Sequence, residues 1–227
     1  MGPNGLTPAL EADFRRYVAP AANQRYVGIA FPGTLMLDQQ GRVTSRFFED
    51  FYAERSTVQS VMLRLGKGGT AVQGTQISSD QLELKTYPSD AAVAPGNRVA
   101  LVVEITPRPG MHVYAPGAEG YRAISLTLAA QPFVRALPVK FPQSEIYYFE
   151  PLKERVPVYR KPFRLLLEVI PEASRDAAAA FRGKDALTLT GTLEYQACDD
   201  KLCYKPVSTP LSWTVTLRPF VPGETSR

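Results

Sequence analysis

The chain has 227 residues, 44% hydrophobic and 21% charged, enough for one large domain or two small ones with a buried core. Its formal charge of +4 is spread evenly, with 8 Lys/Arg against 6 Asp/Glu up to residue 70 and 18 against 16 beyond it, so no basic face marks a nucleic-acid partner. No run of about 18 apolar residues is present to span a membrane, and two cysteines are too few for a disulfide scaffold.

The opening Met1-Gly-Pro-Asn-Gly-Leu-Thr-Pro has neither the basic nor the apolar region of a secretory signal. Thr7-Pro8 starts a helix that places Leu10, Phe14 and Tyr17 on one face. Thr34–Leu37 and Arg42–Phe48 read as strands around Asp38-Gln-Gln-Gly41, a hairpin turn with glycine where a positive φ is wanted. Ser56 and Gln59 spell a capping box, and Val58, Val61, Met62 and Leu65 make an apolar helix stripe that stops at Gly66. Gly66-Lys-Gly-Gly-Thr-Ala-Val-Gln-Gly-Thr has no periodicity and reads as a linker. The expected division is a first segment over 1–68, a linker over 69–80, a main domain over 81–220 and a tail over 221–227.

A proline at the mouth of a strand, then a hairpin, then a helix, gives Gly28 to Leu65 a resemblance to the carboxy-terminal half of a redoxin domain of the peroxiredoxin and thioredoxin-like superfamily. The resemblance implies a cis-proline at Pro32, beside the active-site sulfur in that family. The half that carries the reactive cysteine is absent, and no cysteine precedes Cys198. A peroxidase is thereby set aside. The segment is left as a packed remnant or as a docking surface that kept its Pro32 loop.

Beyond the linker the pattern turns to strands: Leu82–Tyr87, Arg98–Thr106, Ile124–Leu128, Val134–Lys140, Phe163–Ile170, Ala186–Ala197 and Leu211–Leu217. One short helix is expected around Ala173–Phe181. Leu187, Leu189, Leu193 and Tyr195 alternate with Thr188, Thr190, Thr192 and Glu194, and Leu211, Trp213, Val215 and Leu217 alternate with polar neighbours. One buried and one wet face is the mark of an antiparallel sandwich sheet. The fold class is therefore mainly β, an immunoglobulin-like sandwich preceded by a partial thioredoxin-like α/β segment.

Cys198 and Cys203 enclose Asp199-Asp-Lys-Leu202, a hairpin loop that brings the sulfurs within bridging reach. A metal site needs more ligands than the single His112 can add, so neither metal nor other cofactor is expected. A structural bridge closing so short a loop contributes about 2 kcal/mol at most, whereas an accessible, weakly stabilising bridge has the profile of a labile one. Asp199 and Asp200 disfavour a thiolate, and Lys201 and Lys205 partly offset them. Structural and redox readings both stand on these residues alone.

Tyr195-Gln-Ala-Cys198, Cys203-Tyr-Lys-Pro-Val, Leu211-Ser-Trp213 and Gly110-Met-His112-Val-Tyr114 resemble the amino-terminal domain of the thiol:disulfide interchange protein DsbD, over about Leu82 to Pro219. The spacing of four between the cysteines departs from the five of the well-known member. The resemblance implies a periplasmic sandwich that takes electrons from a membrane-embedded donor and passes them to thioredoxin-like thiol proteins. It implies that Cys203 forms the mixed disulfide and Cys198 resolves it, with His112 and Tyr114 beside the pair. It further implies a cap loop within Tyr147–Leu152, Phe149 and Leu152 among its apolar residues, shielding the sulfurs until a partner displaces it. Under this reading the chain starts inside a longer exported protein. The competing expectation is a β-sandwich binding module with a structural disulfide.

Overall fold

The computed structural model describes residues 33–48, 54–67, 72–150 and 153–219, and the chain divides into two units, Met1–Ala53 and Glu54–Arg227. Of the first unit, the described part is an antiparallel hairpin of β1 (Gly33–Leu37) and β2 (Val43–Phe48). The Asp38 carboxylate accepts from the backbone N–H of Gln40 and of Arg42, both at 2.9 Å, and Gly41 takes φ +76°. That is the turn chemistry the sequence spells. The Leu10–Tyr17 helix and Pro32 lie outside the described residues.

In chain order the second unit runs β3 (Arg55–Ser56), α1 (Val58–Arg64), β4 (Thr75–Ser78), β5 (Leu82–Pro88), β6 (Ala92–Val93), β7 (Asn97–Pro107), β8 (His112–Tyr114), β9 (Ser125–Leu128), β10 (Val134–Ala136), β11 (Glu145–Phe149), β12 (Glu154–Tyr159), β13 (Phe163–Pro171), α2 (Arg175–Phe181), β14 (Ala186–Tyr195), β15 (Ala197–Cys198) and β16 (Val207–Leu217). One sheet has the order β10-β13-β7-β5-β4, with β3 added parallel to β7; the other has the order β6-β16-β14-β9. Their inner faces share one core, to which Leu101, Val103, Ile105, Leu189, Leu193 and Trp213 belong. The domain is an immunoglobulin-like, mainly β sandwich. The alternation along β14 and β16 is the burial pattern of strands with one face in that core and one in water.

β7 behaves differently, being buried on both faces over most of its length. Val99, Leu101, Val103 and Ile105 enter the sandwich core, while Ala100 and Val102 face outward and meet Leu63 of α1, Tyr87 and Leu166. Ion pairs fasten α1 there. Arg64 Nε lies 2.6 Å from Glu168, which is 1% exposed, and Lys140 Nζ lies 2.7 Å from its other oxygen. Glu54 pairs with Arg98 at 3.6 Å and with Arg135. Burying a carboxylate such as Glu168 is costly unless cations and hydrogen bonds surround it in this way.

Two expectations therefore change. The second unit begins at Glu54, so α1, grouped by sequence with the redoxin-like segment, packs on the sandwich. The stretch expected as a linker contains β4, paired antiparallel with β5. Within α1 the cap is Thr57, whose hydroxyl accepts from the Ser60 N–H at 3.1 Å. Ser56, the expected cap, is instead part of β3, and its hydroxyl accepts from Arg64 at 3.0 Å. Among the described residues no helix is long and apolar enough to cross a membrane.

Candidate redox site

A third, smaller sheet carries Cys198, in the order β11-β12-β8-β15, and Cys203 is bridged to it. It grows from the ends of the two core sheets: β8 continues the chain after β7, and β15 follows β14 after Gln196. β15 pairs with β8, setting Cys198 opposite His112 and Ala197 opposite Val113. β12 covers the other edge of β8, and β11 lies outside β12.

Cys198 and Cys203 form a disulfide across an antiparallel backbone bridge, with Cα atoms 4.1 Å apart. The turn between them is held without sulfur. Tyr204 N–H donates to Ala197 O at 2.9 Å, and Asp199 N–H donates to Leu202 O at 3.0 Å. The Asp199 carboxylate accepts from the backbone N–H of Lys201 and of Leu202, each at 2.7 Å, and these bonds hold its pKa below the usual aspartate range. Asp200 accepts from the Tyr147 hydroxyl at 3.0 Å. The two acids read from sequence as neighbours unfavourable to a thiolate thus also fix the turn and its contact with β11.

The two cysteines are not equivalent. Cys198 is 1% exposed, packed with Tyr114, Ala118, Val156 and Val158, whereas Cys203 is exposed. Leu202, just before it, is 57% exposed. The Tyr114 hydroxyl lies 3.1 Å from Cys198 Sγ and 3.3 Å from Cys203 Sγ. With both sulfurs in the bridge, the hydroxyl is the donor. Burial, reinforced by Tyr121 and Glu154, pushes the Tyr114 pKa far above the phenol range, so this hydroxyl keeps its proton.

His112 is 3% exposed, with its ring 4.8 Å from that of Tyr147 and 5.6 Å from that of Tyr114. Burial, with Arg160 nearby, lowers its pKa and keeps the imidazole neutral at neutral pH. Tyr147 and Phe149 line a cleft of about 10 Å³ together with His112, Tyr114, Val156, Asp199 and both cysteines. A space of that size admits about one water. No thiol reagent reaches Cys198 from this side as it stands.

Residues 83–212 match the family described as thiol:disulfide interchange protein DsbD, N-terminal. The chain belongs to that family. No curated protein matches it. Among solved structures it is similar to the N-terminal periplasmic domain of ScsB from Proteus mirabilis, at 15% identity and a TM-score of 0.44, over 62% of this chain and 49% of that one. The chain thus spans about half the length of that structure.

Of the residues expected at a DsbD-type site, the fold brings together Cys198, Cys203, His112, Tyr114 and Phe149; Leu152 and Pro151 lie outside the described residues. Of the segment expected as a cap loop, Tyr147–Phe149 belong to a strand, β11, paired antiparallel with β12, and Lys153 N–H donates to Glu150 O between them. It lies over the cleft that both cysteines line, where Cys198 is buried and Cys203, as a residue, is exposed. Tyr121 and Glu154, absent from the sequence reading, stand behind Tyr114: the Tyr114 and Tyr121 rings stack at 4.1 Å, and the Tyr121 hydroxyl donates to Glu154 at 2.7 Å. Nothing in their local sequence announces this, since 33 residues separate them. Asp199 could have been found, because an Asp followed by free N–H groups two and three residues on is an Asx-turn signature.

Proposed function

We propose that this chain is a periplasmic thiol–disulfide exchange module that works through reversible opening of the Cys198–Cys203 bridge. The observation that supports the reading is the asymmetry of the pair, one cysteine exposed and one buried, at a turn that also has its own backbone hydrogen bonds. A partner thiolate attacks Cys203, the exposed cysteine, and Cys198 leaves with the electron pair; in the opposite direction Cys198 attacks the mixed disulfide at Cys203 and releases the partner. Tyr114 supplies a hydrogen bond to whichever sulfur carries charge. The β11–β12 hairpin shields Cys198, and the exposed Leu202 offers an apolar contact beside the attacked sulfur. The partners are thioredoxin-like thiol proteins, with electrons supplied from a membrane-embedded donor.

The test is trapping. Cys198→Ser should accumulate a mixed disulfide with a thioredoxin-like partner, and Cys203→Ser should accumulate little. Equal trapping by the two variants would overturn the assignment of roles. The reduction potential separates relay from structural bridge: above about −300 mV is expected, and a lower value would favour a binding module with a structural disulfide.

A further inference from the structure

His112 is the only histidine in the chain, and it lines the same cleft as the bridge. It stands opposite Cys198 in the β8–β15 pair, so the two side chains share a face of the small sheet. β11 closes the cleft beside them, with the Tyr147 ring 4.8 Å from the imidazole and Phe149 next to it. The other groups facing the imidazole are Tyr114 of β8, Val156 of β12, both cysteines, Asp199 and Asp200 of the turn, and Arg160 beyond β12. Arg160 itself lies 5.3 Å from the Tyr147 ring. Among the described residues no hydrogen bond to the imidazole is present. A neutral ring is accommodated by such surroundings, whereas an imidazolium needs an acceptor or water for each of its two N–H groups. The cleft, at about 10 Å³, has room for about one water. β11 is an edge strand, paired on one side only, by β12, and tied to the turn by the Tyr147 hydroxyl, which donates to Asp200 at 3.0 Å. Of the cleft's walls it is the one that can give way.

We propose that His112 is a proton-operated gate on the bridge: taking up a proton drives Tyr147 and β11 off the cleft and opens the Cys198 side of the disulfide. As regulation of that same site, this rests on the exchange reading above. The step is proton binding alone, and no covalent bond changes. With the cleft closed, burial and then Arg160 lower the His112 pKa, against an opposing pull from Asp200 and Asp199. With the cleft open, the imidazolium meets water and its pKa returns toward the ordinary histidine value. The closed form therefore binds the proton more weakly than the open one. Acid favours the open form, and the preference vanishes above the ordinary histidine pKa, where neither form is protonated. The coupling is reciprocal: a partner that lifts β11 to reach the bridge raises the proton affinity of His112. While the cysteines are bridged, no other side chain of this chain has an ordinary pKa between about 5 and 8, so a step in that range has one source.

The experiment reduces the oxidised full chain with tris(hydroxypropyl)phosphine, whose reactive form is uncharged, between about pH 5 and 8. Each rate is divided by that of His112→Phe and, separately, of His112→Gln, which cancels the pH dependence of the phosphine. Either ratio should rise by about threefold or more from the alkaline to the acid end. In a Phe149→Ala background, where the cleft has already lost a wall, the same ratio should rise by less than about 1.5-fold. Trp213, the single tryptophan and 2% exposed in the core, should keep its fluorescence across the range. A flat ratio would overturn the gate. So would an equal rise in the Phe149→Ala background, which places the action of the proton elsewhere. A change in Trp213 fluorescence with the same midpoint would overturn it too, since the event would then be a loosening of the core. A reduction potential of the parent below about −300 mV would instead remove the exchange reading, and the gate as its regulation, whatever the ratio does.

Discussion

Replacing Tyr114 by Phe removes one hydroxyl and leaves the ring in place against Tyr121. That hydroxyl lies 3.1 and 3.3 Å from the two sulfurs and retains its proton because it is buried. A hydrogen bond to a charged acceptor is worth about 1.5–3 kcal/mol net, and one to a neutral acceptor about 0.5–1.5. The thiolate is thus favoured over the thiol by about 1–1.5 kcal/mol, which at 1.36 kcal/mol per unit is roughly one pKa unit. The sign is fixed: losing a donor to the charged form raises the thiol pKa. In the reduced Tyr114→Phe variant the first apparent thiol pKa should rise by about one unit, read from thiolate ultraviolet absorbance against pH. Alkylation by iodoacetamide below that pKa should slow by about tenfold. The value belongs to the pair, since two close thiols titrate together. An unchanged titration would mean that the hydroxyl leaves the sulfurs on reduction, and the role given to Tyr114 would fail. Tyr121→Phe is the control, because it leaves the Tyr114 donor intact.

Three further outcomes are expected. Leu63→Ala, at a position 6% exposed and packed on Ala100, Val102 and Leu166, should cost about 2–3 kcal/mol in urea unfolding; a cost below about 0.5 kcal/mol would show that α1 is an appendage rather than part of the sandwich. Phe149→Ala should speed reduction of the bridge by dithiothreitol by opening the Cys198 side of the cleft, and equal rates would show that β11 shields nothing. His112 has a folded pKa below the ordinary 6.5, so its contribution to stability is whole above that value and lost as pH falls toward the folded pKa, where the unfolded chain takes up the proton first. His112→Gln should flatten that part of the stability–pH curve, and parallel curves for parent and variant would refute the assignment.

What the sequence made legible was periodic. The alternating leucines and threonines of β14 and β16 could be placed on their faces because each strand meets the core once. The near-continuous run Val99-Ala-Leu-Val-Val103 marked a strand, but its second covering, α1, was hidden by the glycine-rich stretch that seemed to end a domain. β11 and β12 were missed as strands because no clean alternation runs through Tyr147-Tyr-Phe149 or Val156-Pro-Val158. Their order comes from pairing with β8, a long-range event that local propensity does not report. Tyr148 faces solvent, with Arg155 over its ring at 5.9 Å. At the site, the cysteine spacing pointed to a local bridge, whereas the burial of Cys198 and the exposure of Cys203 depended on long-range packing around β15.

The backbone bonds that close the 199–202 turn have a consequence for timing. Tyr204 N–H donates to Ala197 O and the Asp199 carboxylate holds the turn through bonds that do not involve sulfur, so opening the bridge removes none of them and the two thiols are expected to stay opposite each other. An attacking sulfur already held in place reacts as though at very high local concentration. Under the proposed exchange, a partner joined to Cys203 would then be released soon after Cys198 ionises, and such complexes would be brief. If the turn keeps these bonds on reduction, gaining or losing two electrons moves little of the domain, and a partner in the proposed exchange would have to tell the two forms apart by the sulfurs and their immediate rim rather than by a change of shape.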